Sequence, residues 1–276
     1  MEVKTEDVRF EGDGRPIDAY VAAPASGRPH PALIVVSEIW GLVEHIRDVS
    51  RRFARQGYLA LAPDLYTGEL RDAMSPTNIM AGMLFLRNAP PEVQRDPSTL
   101  GERVKGLSPD KQTAIATLVR VMSPEQRERF AWDLVGALDY LRSRPDVRAE
   151  RVGSLGFCMG GGLTARLATL SPSLRAIVIF YGENPPLDAV GEIRCPVLGL
   201  YGGDDRRITD LVPDLVRAME REGKEFDYHV YPGAKHAFFN DTGPNYQAEV
   251  AGDSWHRVLA FLGKELKEEE PRPRPL

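Results

Sequence analysis

The chain has 276 residues, of which 42% are hydrophobic and 27% charged, and it carries a formal net charge of −5. This composition is typical of a globular protein, and the negative charge gives no electrostatic reason to expect nucleic acid or an anionic membrane as a partner. The first residues contain no apolar run suited to a signal peptide, and the aliphatic runs are too short to cross a membrane, so we expect a cytoplasmic protein.

Over the first part of the chain, short aliphatic segments typical of strands are separated by an amphipathic segment typical of a helix. A strand is predicted at Ile17–Ala23 and another at Ala32–Val36, in which every residue is apolar. Val43–Gln56 predicts a helix, because its apolar and arginine side chains fall on opposite sides and Gly57 ends it. Tyr58–Ala62 then predicts a third strand.

The second half of the chain continues this alternation of strands and helices. Predicted strands lie at Arg151–Leu155, Ala176–Phe180, Val197–Leu200 and Phe226–Tyr231, and predicted helices at about 124–142, 161–170, 210–222 and 245–266. Strands that are mostly aliphatic and alternate with helices are typical of a mostly parallel sheet covered on both faces. The predicted fold class is therefore α/β, and we expect residues 1–266 to form a single domain.

Two segments depart from the alternation. Residues 67 to about 122 contain several prolines, glycines and methionines, and they predict helical pieces inserted between a strand and the next main helix. An insertion at the carboxyl end of a parallel strand overlies the place where such sheets bind ligands, so we interpret it as a cap. A decorative or dimer-forming excursion is the alternative. The charged, proline-rich residues 267–276 are expected to be disordered.

The segment GFCMGGG, Gly156–Gly162, joins a predicted strand to a predicted helix. A nucleophile on a sharp strand-to-helix turn needs neighbours without bulk, and Gly156 and Gly160 flank Cys158 at the required spacing. The N-terminus of the following helix favours the thiolate form of Cys158, and the N–H group of Met159 is suited to bind an oxyanion. The pattern predicts Cys158 as a nucleophile; a small buried hydrophobic residue is the alternative.

Two later strand ends carry residues suited to acid–base chemistry. Asp204 and Asp205 follow the strand VLGLYG, and His236 follows the strand FDYHVYPG. The order nucleophile, acid, histidine, each after a successive strand, lets three side chains converge at one edge of a sheet.

Together these motifs resemble those of the dienelactone hydrolase family, which has the α/β-hydrolase fold. The resemblance rests on SEIWGL at 37–42, GFCMGG at 156–161, GGDDRRI at 202–208 and GAKHAF at 233–238. It implies Cys158 as the nucleophile, His236 as the base and Asp205 as the acid that orients the histidine. Asp204 is the adjacent alternative to Asp205 and is interpreted as a loop or cap residue.

Glu38 comes just after an aliphatic strand, where a charge is unfavourable unless it is paired or hydrogen-bonded. The resemblance implies that Glu38 accepts the thiol proton of Cys158 when substrate arrives. It also implies that the N–H group of Ile39 is the second oxyanion donor. A solvated loop acid is the alternative interpretation of Glu38.

Asn240 marks a departure from the family pattern. Family members that act on dienelactone carry an arginine four residues after the catalytic histidine, where it pairs with the substrate carboxylate. An amide cannot replace a bidentate arginine, so dienelactone is not the expected substrate. Arg206, Arg207, Arg71 and Arg87 are other candidates for that charge, each with a solvated surface residue as the alternative.

The remaining expectations concern the pocket and its ligands. Trp40, Phe238 and Asn240 are expected to contact the substrate, and core packing is the alternative for the two aromatic residues. The histidines and cysteines lack metal-ligand spacing, so we expect no metal, and no motif calls for a cofactor. The expected partner is a small-molecule ester or lactone, bound by a monomer or a homodimer.

The resulting hypothesis is a carboxylic ester or lactone hydrolase with a Cys–His–Asp triad and a thioester acyl-enzyme. One alternative is a ligand-binding or redox-sensing protein on the same scaffold. A thioesterase or acyltransferase is the other.

Overall fold

The centre of the protein is a mixed sheet, seen in a computed structural model that describes residues 1–25, 27, 29–88 and 97–267. Within those residues the strands are β1 (Val3–Glu11), β2 (Pro16–Pro24), β3 (His30–Val36), β4 (Leu59–Pro63), β5 (Val147–Phe157), β6 (Ile177–Phe180), β7 (Val197–Gly202) and β8 (Phe226–Tyr231). Their order across the sheet is β1-β2-β4-β3-β5-β6-β7-β8. β2 pairs antiparallel with β1 and β4, and the other neighbouring pairs are parallel.

Helices connect most of the strands. They are α1 (Glu44–Arg55), α2 (Leu70–Ala73), α3 (Pro76–Asn88), α4 (Pro97–Lys105), α5 (Pro109–Val121), α6 (Pro124–Ser143), α7 (Met159–Leu170), α8 (Arg206–Thr209), α9 (Val212–Arg221) and α10 (Ala248–Leu262). A short 3₁₀ turn lies at Val190–Glu192, and one turn of π-helix, Gly263–Lys267, continues α10. The start of α6 is fixed by Ser123, whose hydroxyl accepts a hydrogen bond from the N–H group of Gln126.

Each face of the sheet is covered by its own hydrophobic core. Because side chains alternate along a strand, Leu33 and Val35 point to one face while Ile34 and Val36 point to the other. The first pair packs with α1 and α10. The second pair packs with α6, α7 and α9. The sheet covered on both faces confirms the predicted α/β class.

Several boundaries differ from the sequence predictions. The strand β1 was not predicted, because most of its side chains are charged and exposed at an edge of the sheet. The helix predicted at 210–222 is shorter and is preceded by the separate turn α8. The segment predicted to be inserted holds α2 to α5, although 89–96 lie outside the described residues. The tail predicted to be disordered, 267–276, also lies outside them except for its first residue.

The turn between β5 and α7 is held by close contacts between backbones. A methyl group on Gly156 would lie 2.0 Å from the carbonyl oxygen of Gly160. A methyl group on Gly160 would lie 2.4 Å from the carbonyl oxygens of Val36 and Ser37, at the end of β3. Neither distance leaves room for a side chain, so glycine at both positions lets α7 begin against the neighbouring strand.

Replacing Gly160 by alanine should therefore destabilise the protein. We expect Gly160→Ala to lower the free energy of unfolding by at least about 2 kcal/mol, because the added methyl group overlaps backbone that cannot move independently. The matched control is Gly252→Ala in α10, where nothing lies near the new methyl group. That change should raise stability by up to about 1 kcal/mol. Urea denaturation measures both, and equal stability of the two variants would contradict the analysis.

Candidate active site

Cys158 occupies the turn from β5 to α7 in a conformation that few non-glycine residues adopt. Its φ is +54° and its ψ is −116°. Its N–H group donates to the carbonyl oxygen of Phe180 at 3.0 Å, which ties the turn to β6. Strained backbone of this kind persists only where the surrounding structure holds it, and here it presents a half-buried thiol at the start of α7.

Two backbone N–H groups near the thiol are free to bind an anion. Among the described residues, no acceptor is found for the N–H groups of Met159, the first residue of α7, and Ile39, which follows β3. The loop that carries Ile39 is fixed by Tyr66, whose hydroxyl donates to the carbonyl oxygen of Ile39 at 2.8 Å. One of these donors lies at a helix N-terminus and the other in a loop, and their role as an oxyanion hole stays a prediction.

Asp205 and His236 meet at the carboxyl ends of β7 and β8. Oδ2 of Asp205 lies 2.5 Å from Nδ1 of His236. Asp205 is buried, whereas its neighbour Asp204 is exposed and uses its N–H group to bond the carbonyl oxygen of Ala234. Asn245 holds the histidine loop from the other side by donating to the carbonyl oxygen of His236 at 3.0 Å. Of the two adjacent acids, Asp205 is therefore the one that orients the imidazole.

His236 also interacts with Cys158. Burial favours the neutral imidazole, but the hydrogen bonds and charges of Asp205 and Cys158 outweigh that effect and raise the pKa of His236 to about 10. When Cys158 is a thiolate, the imidazole is therefore protonated at neutral pH. The three side chains that the sequence motifs singled out thus lie in one connected group.

Glu38 is buried, with 3% of its surface exposed, and it lies close to the group formed by Cys158, Asp205 and His236. Oε1 accepts a hydrogen bond from the hydroxyl of Tyr181 at 3.2 Å, and Oε2 accepts one from Nδ2 of Asn240 at 2.6 Å. Burial raises the pKa of Glu38, although these hydrogen bonds oppose the change. Within the described residues no hydrogen bond joins Glu38 to Cys158.

Tyr181 was not singled out from the sequence, yet it connects the parts of the site. It follows β6 with a φ of +40°, which is rare for a non-glycine residue. Its ring makes an edge contact with the ring of His236, with 5.1 Å between centroids, while its hydroxyl bonds Glu38. Burial and the nearby charges of Glu38 and Cys158 raise the pKa of Tyr181 well above its usual value, so the hydroxyl remains a donor.

A cavity of about 630 Å³ opens onto the thiol. Its lining includes Cys158, Asp205 and His236 together with both residues whose N–H groups are free, Ile39 and Met159. Residues of the predicted insertion also contribute, namely Met83 from α3 and Met122 at the end of α5. The insertion therefore contributes to the wall of the cavity, and its role as a cap stays a prediction.

The three residues that the sequence predicted to contact the substrate do not line this cavity. Phe238 is fully buried and packs against Tyr181, and Trp40 packs against the core, so neither lines the cavity. Asn240 is also absent from the lining, because it is buried and bonded to Glu38. No local sequence pattern signals this pairing, which joins residues 202 positions apart.

Of the arginines considered from the sequence, one reaches the cavity. Arg207 lines it, whereas Arg206 pairs with Asp210, Arg71 pairs with Asp18 and Asp64, and Arg87 is exposed on α3. The lining also includes Arg127, Arg166, Glu128 and Glu183, which sequence analysis did not identify. They come from α6, α7 and the loop after β6, and no local motif links them.

The described ranges also bear on metal binding and on membrane crossing. No group of three or more His, Cys, Asp or Glu side chains there is arranged to hold a metal ion. None of the helices described is both long enough and apolar enough to cross a bilayer.

Comparison with known proteins gives consistent similarities. The family model described as "Dienelactone hydrolase family" matches residues 17–266. A protein of Saccharolobus solfataricus named "Putative carboxymethylenebutenolidase" is 40% identical over 263 residues, covering 95% of this chain and 99% of that protein. A protein of the same name from Escherichia coli strain K12 is 34% identical over 264 residues, covering 91% of this chain and 83% of its own length.

Solved structures agree on the fold. The crystal structure of a protein from Klebsiella pneumoniae titled "Putative Dienelactone Hydrolase" has a TM-score of 0.73 and 30% identity, and the match covers 96% of this chain and all of that one. An acylaminoacyl peptidase, at 15% identity, has a TM-score of 0.69 over 99% of this chain and 43% of its own. The chain therefore belongs to the dienelactone hydrolase family and is a hydrolase of that type, with the α/β-hydrolase fold.

Proposed function

We propose that the protein hydrolyses carboxylic esters or lactones through a Cys158–His236–Asp205 triad and a thioester acyl-enzyme. The observation that carries this proposal is the hydrogen bond from His236 to Asp205, together with the interaction of His236 with Cys158 beside one cavity. Membership of the family and the names of the relatives support the ester or lactone as substrate class. We also propose a cytoplasmic location, on the sequence grounds given above.

In the first half of the reaction, the thiolate of Cys158 attacks the carbonyl carbon and forms a C–S bond. The carbonyl oxygen becomes an oxyanion, which accepts hydrogen bonds from the N–H groups of Ile39 and Met159. The imidazolium of His236 then gives its proton to the leaving oxygen as the C–O bond breaks. A thioester and a neutral imidazole remain.

In the second half, neutral His236 takes a proton from a water molecule, which attacks the thioester carbonyl. The C–S bond breaks, the acid is released, and the thiolate and imidazolium are restored. Acylation removes the charge of Cys158 that helps raise the pKa of His236. The imidazolium is therefore a stronger acid when it protonates the leaving oxygen. The imidazole also stays neutral more readily, so it is available as the base that takes a proton from water.

Two groups are candidates to accept the thiol proton before attack. His236 interacts with Cys158 directly. Glu38 is the acceptor that the family resemblance implies, and its raised pKa suits a carboxylate that takes up a proton. We propose that Glu38 accepts this proton when substrate enters and returns it to the Cys158 thiolate after the acid has been released, with Tyr181 and Asn240 holding its carboxylate in position.

Replacing the nucleophile should end catalysis without unfolding the protein. We expect Cys158→Ala to lose at least about 1000-fold in kcat on 4-nitrophenyl butyrate, because no thioester can form. Cys195→Ala is the matched control, since Cys195 is buried and its burial raises its pKa to about 12. That variant should keep its activity.

Intact-protein mass spectrometry should also detect an acyl adduct on the wild-type protein and none on Cys158→Ala. Substantial turnover by Cys158→Ala would refute the mechanism. If iodoacetamide labels Cys158 readily but no ester in a panel of short aryl esters is cleaved, the protein is a redox or ligand sensor instead.

The protonation of His236 should depend on its two neighbours. Since the hydrogen bonds and charges of Cys158 and Asp205 raise the pKa of His236 to about 10, removing either partner should lower it. We expect Cys158→Ala and Asp205→Asn each to shift the imidazole titration toward lower pH, as followed by ¹⁵N NMR. The exposed His256 provides a reference signal in the same spectra. An unshifted titration in both variants would mean that neither group stabilises the imidazolium.

Glu38→Gln should slow acylation selectively. If Glu38 accepts the thiol proton, the burst of nitrophenol in stopped-flow measurements should be slower by about 100-fold or more. The later steady-state release of acid, which depends on His236, should be little affected. Glu44→Gln, in the first turn of α1, is the control for loss of an exposed carboxylate. A burst rate equal to that of the wild-type protein would assign proton acceptance to His236 alone.

A further inference from the structure

The catalytic cavity contains three arginines, and each is paired with a carboxylate. Arg166 bonds Glu128 through Nε and Nη2, at 2.8 and 2.7 Å. Arg127 and Arg207 share a single partner, Glu183. Nη1 of Arg207 lies 3.0 Å from Oε1 of Glu183, and Nη1 of Arg127 bonds Oε2. One carboxylate thus bridges guanidinium groups from α6 and α8 across the cavity.

Glu183 is fixed in this position by the backbone. It follows Tyr181 and Gly182 at the end of β6, where Gly182 packs closely on the first turn of α7. A methyl group on Gly161 would lie 2.9 Å from the Cα atom of Gly182, so the two segments cannot separate without loss of contact. The carboxylate of Glu183 therefore reaches Arg127 and Arg207 from a backbone segment that is packed tightly against α7.

Glu183 is ionised in this setting. Burial works to raise its pKa, but the charges and hydrogen bonds of Arg127 and Arg207 prevail and hold the pKa of Glu183 below its ordinary value. Each oxygen of Glu183 is used by a different guanidinium group. The Nε atom of Arg127 is buried and has no hydrogen-bond partner in the described part of the chain, so Glu183 supplies its principal anchor.

Much of the remaining wall of the cavity is apolar. Side chains that contribute carbon surface are Met83, Met122, Leu163, Pro185, Pro186 and Ile208. Such a surface favours an uncharged acyl chain. An added carboxylate would either lie beside ionised Glu183, which repels it, or displace Glu183 from both arginines and remove the two ion pairs that hold it.

We propose that Glu183 is a specificity-determining residue, which occupies the guanidinium groups of Arg127 and Arg207 and so makes the cavity select uncharged esters over esters that carry a carboxylate. This inference rests on the proposed ester hydrolysis. Asn240 agrees with it, because its amide is bonded to Glu38 and does not line the cavity, so it offers a substrate carboxylate no donor there.

Two substrates of equal chain length test the proposal. 4-Nitrophenyl hexanoate and the 4-nitrophenyl monoester of adipic acid have the same six-carbon acyl group and leaving group, and they differ in the terminal carboxylate. We expect the wild-type protein to prefer the hexanoate by at least 10-fold in kcat/KM. Glu183→Gln should shift this ratio at least 10-fold toward the adipate ester, mainly through KM, because two arginines are then free to pair with the carboxylate.

A second variant should shift the preference between the two esters in the opposite direction. Arg207→Gln leaves Glu183 with Arg127 alone, so it should shift the ratio further toward the hexanoate. Arg207 is exposed, and its loss removes no core packing, so this variant tests the proposal even if Glu183→Gln does not fold. Glu192→Gln is the control, because it removes the same charge from an exposed pair with Arg194 outside the cavity. It should leave the ratio unchanged.

The outcomes separate this inference from the proposed function. A wild-type preference for the adipate ester, or an unchanged ratio in both Glu183→Gln and Arg207→Gln, would overturn the role of Glu183. If the wild-type protein cleaves neither ester, the proposed function fails. Thermal-shift binding of adipate and of hexanamide then makes the same comparison without turnover. Glu183→Gln should bind adipate at least 10-fold more tightly than the wild-type protein, and equal binding would contradict the inference.

Discussion

The site depends on the contact between the turn after β5 and the end of β3. At Gly160 the backbone of α7 touches the carbonyl groups of Val36 and Ser37 so closely that no side chain fits. This contact fixes the start of α7 and with it the thiol of Cys158 and the N–H group of Met159. It also fixes the distance from that helix to Ile39, which lies just beyond the same end of β3. One steric constraint therefore sets the thiol of Cys158 and the N–H groups of Met159 and Ile39 relative to each other.

Much of this architecture follows from the sequence alone. Buried parallel strands have aliphatic sequences whatever their neighbours, so β3 to β7 and the helices between them are predictable from local patterns. The positions of Cys158, Asp205 and His236 after β5, β7 and β8 also indicate which edge of the sheet they share. The strand β1 escaped prediction, because its burial pattern is largely exposed and it is stabilised by pairing with β2 rather than by an apolar face. Its pairing partner, not its own composition, decides its structure.

The surroundings of the site were less predictable, for a physical reason. The role of Asn240 is set by a hydrogen bond to Glu38, and that of Glu183 by two guanidinium groups on separate helices. Each of these side chains would be an ordinary surface residue in a different fold. Trp40 and Phe238 show the converse, because aromatic residues next to catalytic motifs in the sequence are used for core packing. Local motifs identify reacting groups, whereas long-range contacts determine what surrounds them.

The cap has a consequence for the breadth of substrates. Met83 and Met122, which it contributes to the cavity, are unbranched side chains with several rotatable bonds. Such side chains change rotamer with little change in energy, so this part of the cavity wall can adapt its shape while the strands beneath remain still. Under the proposed function, acyl groups of different length would then reach a reaction centre whose geometry stays constant.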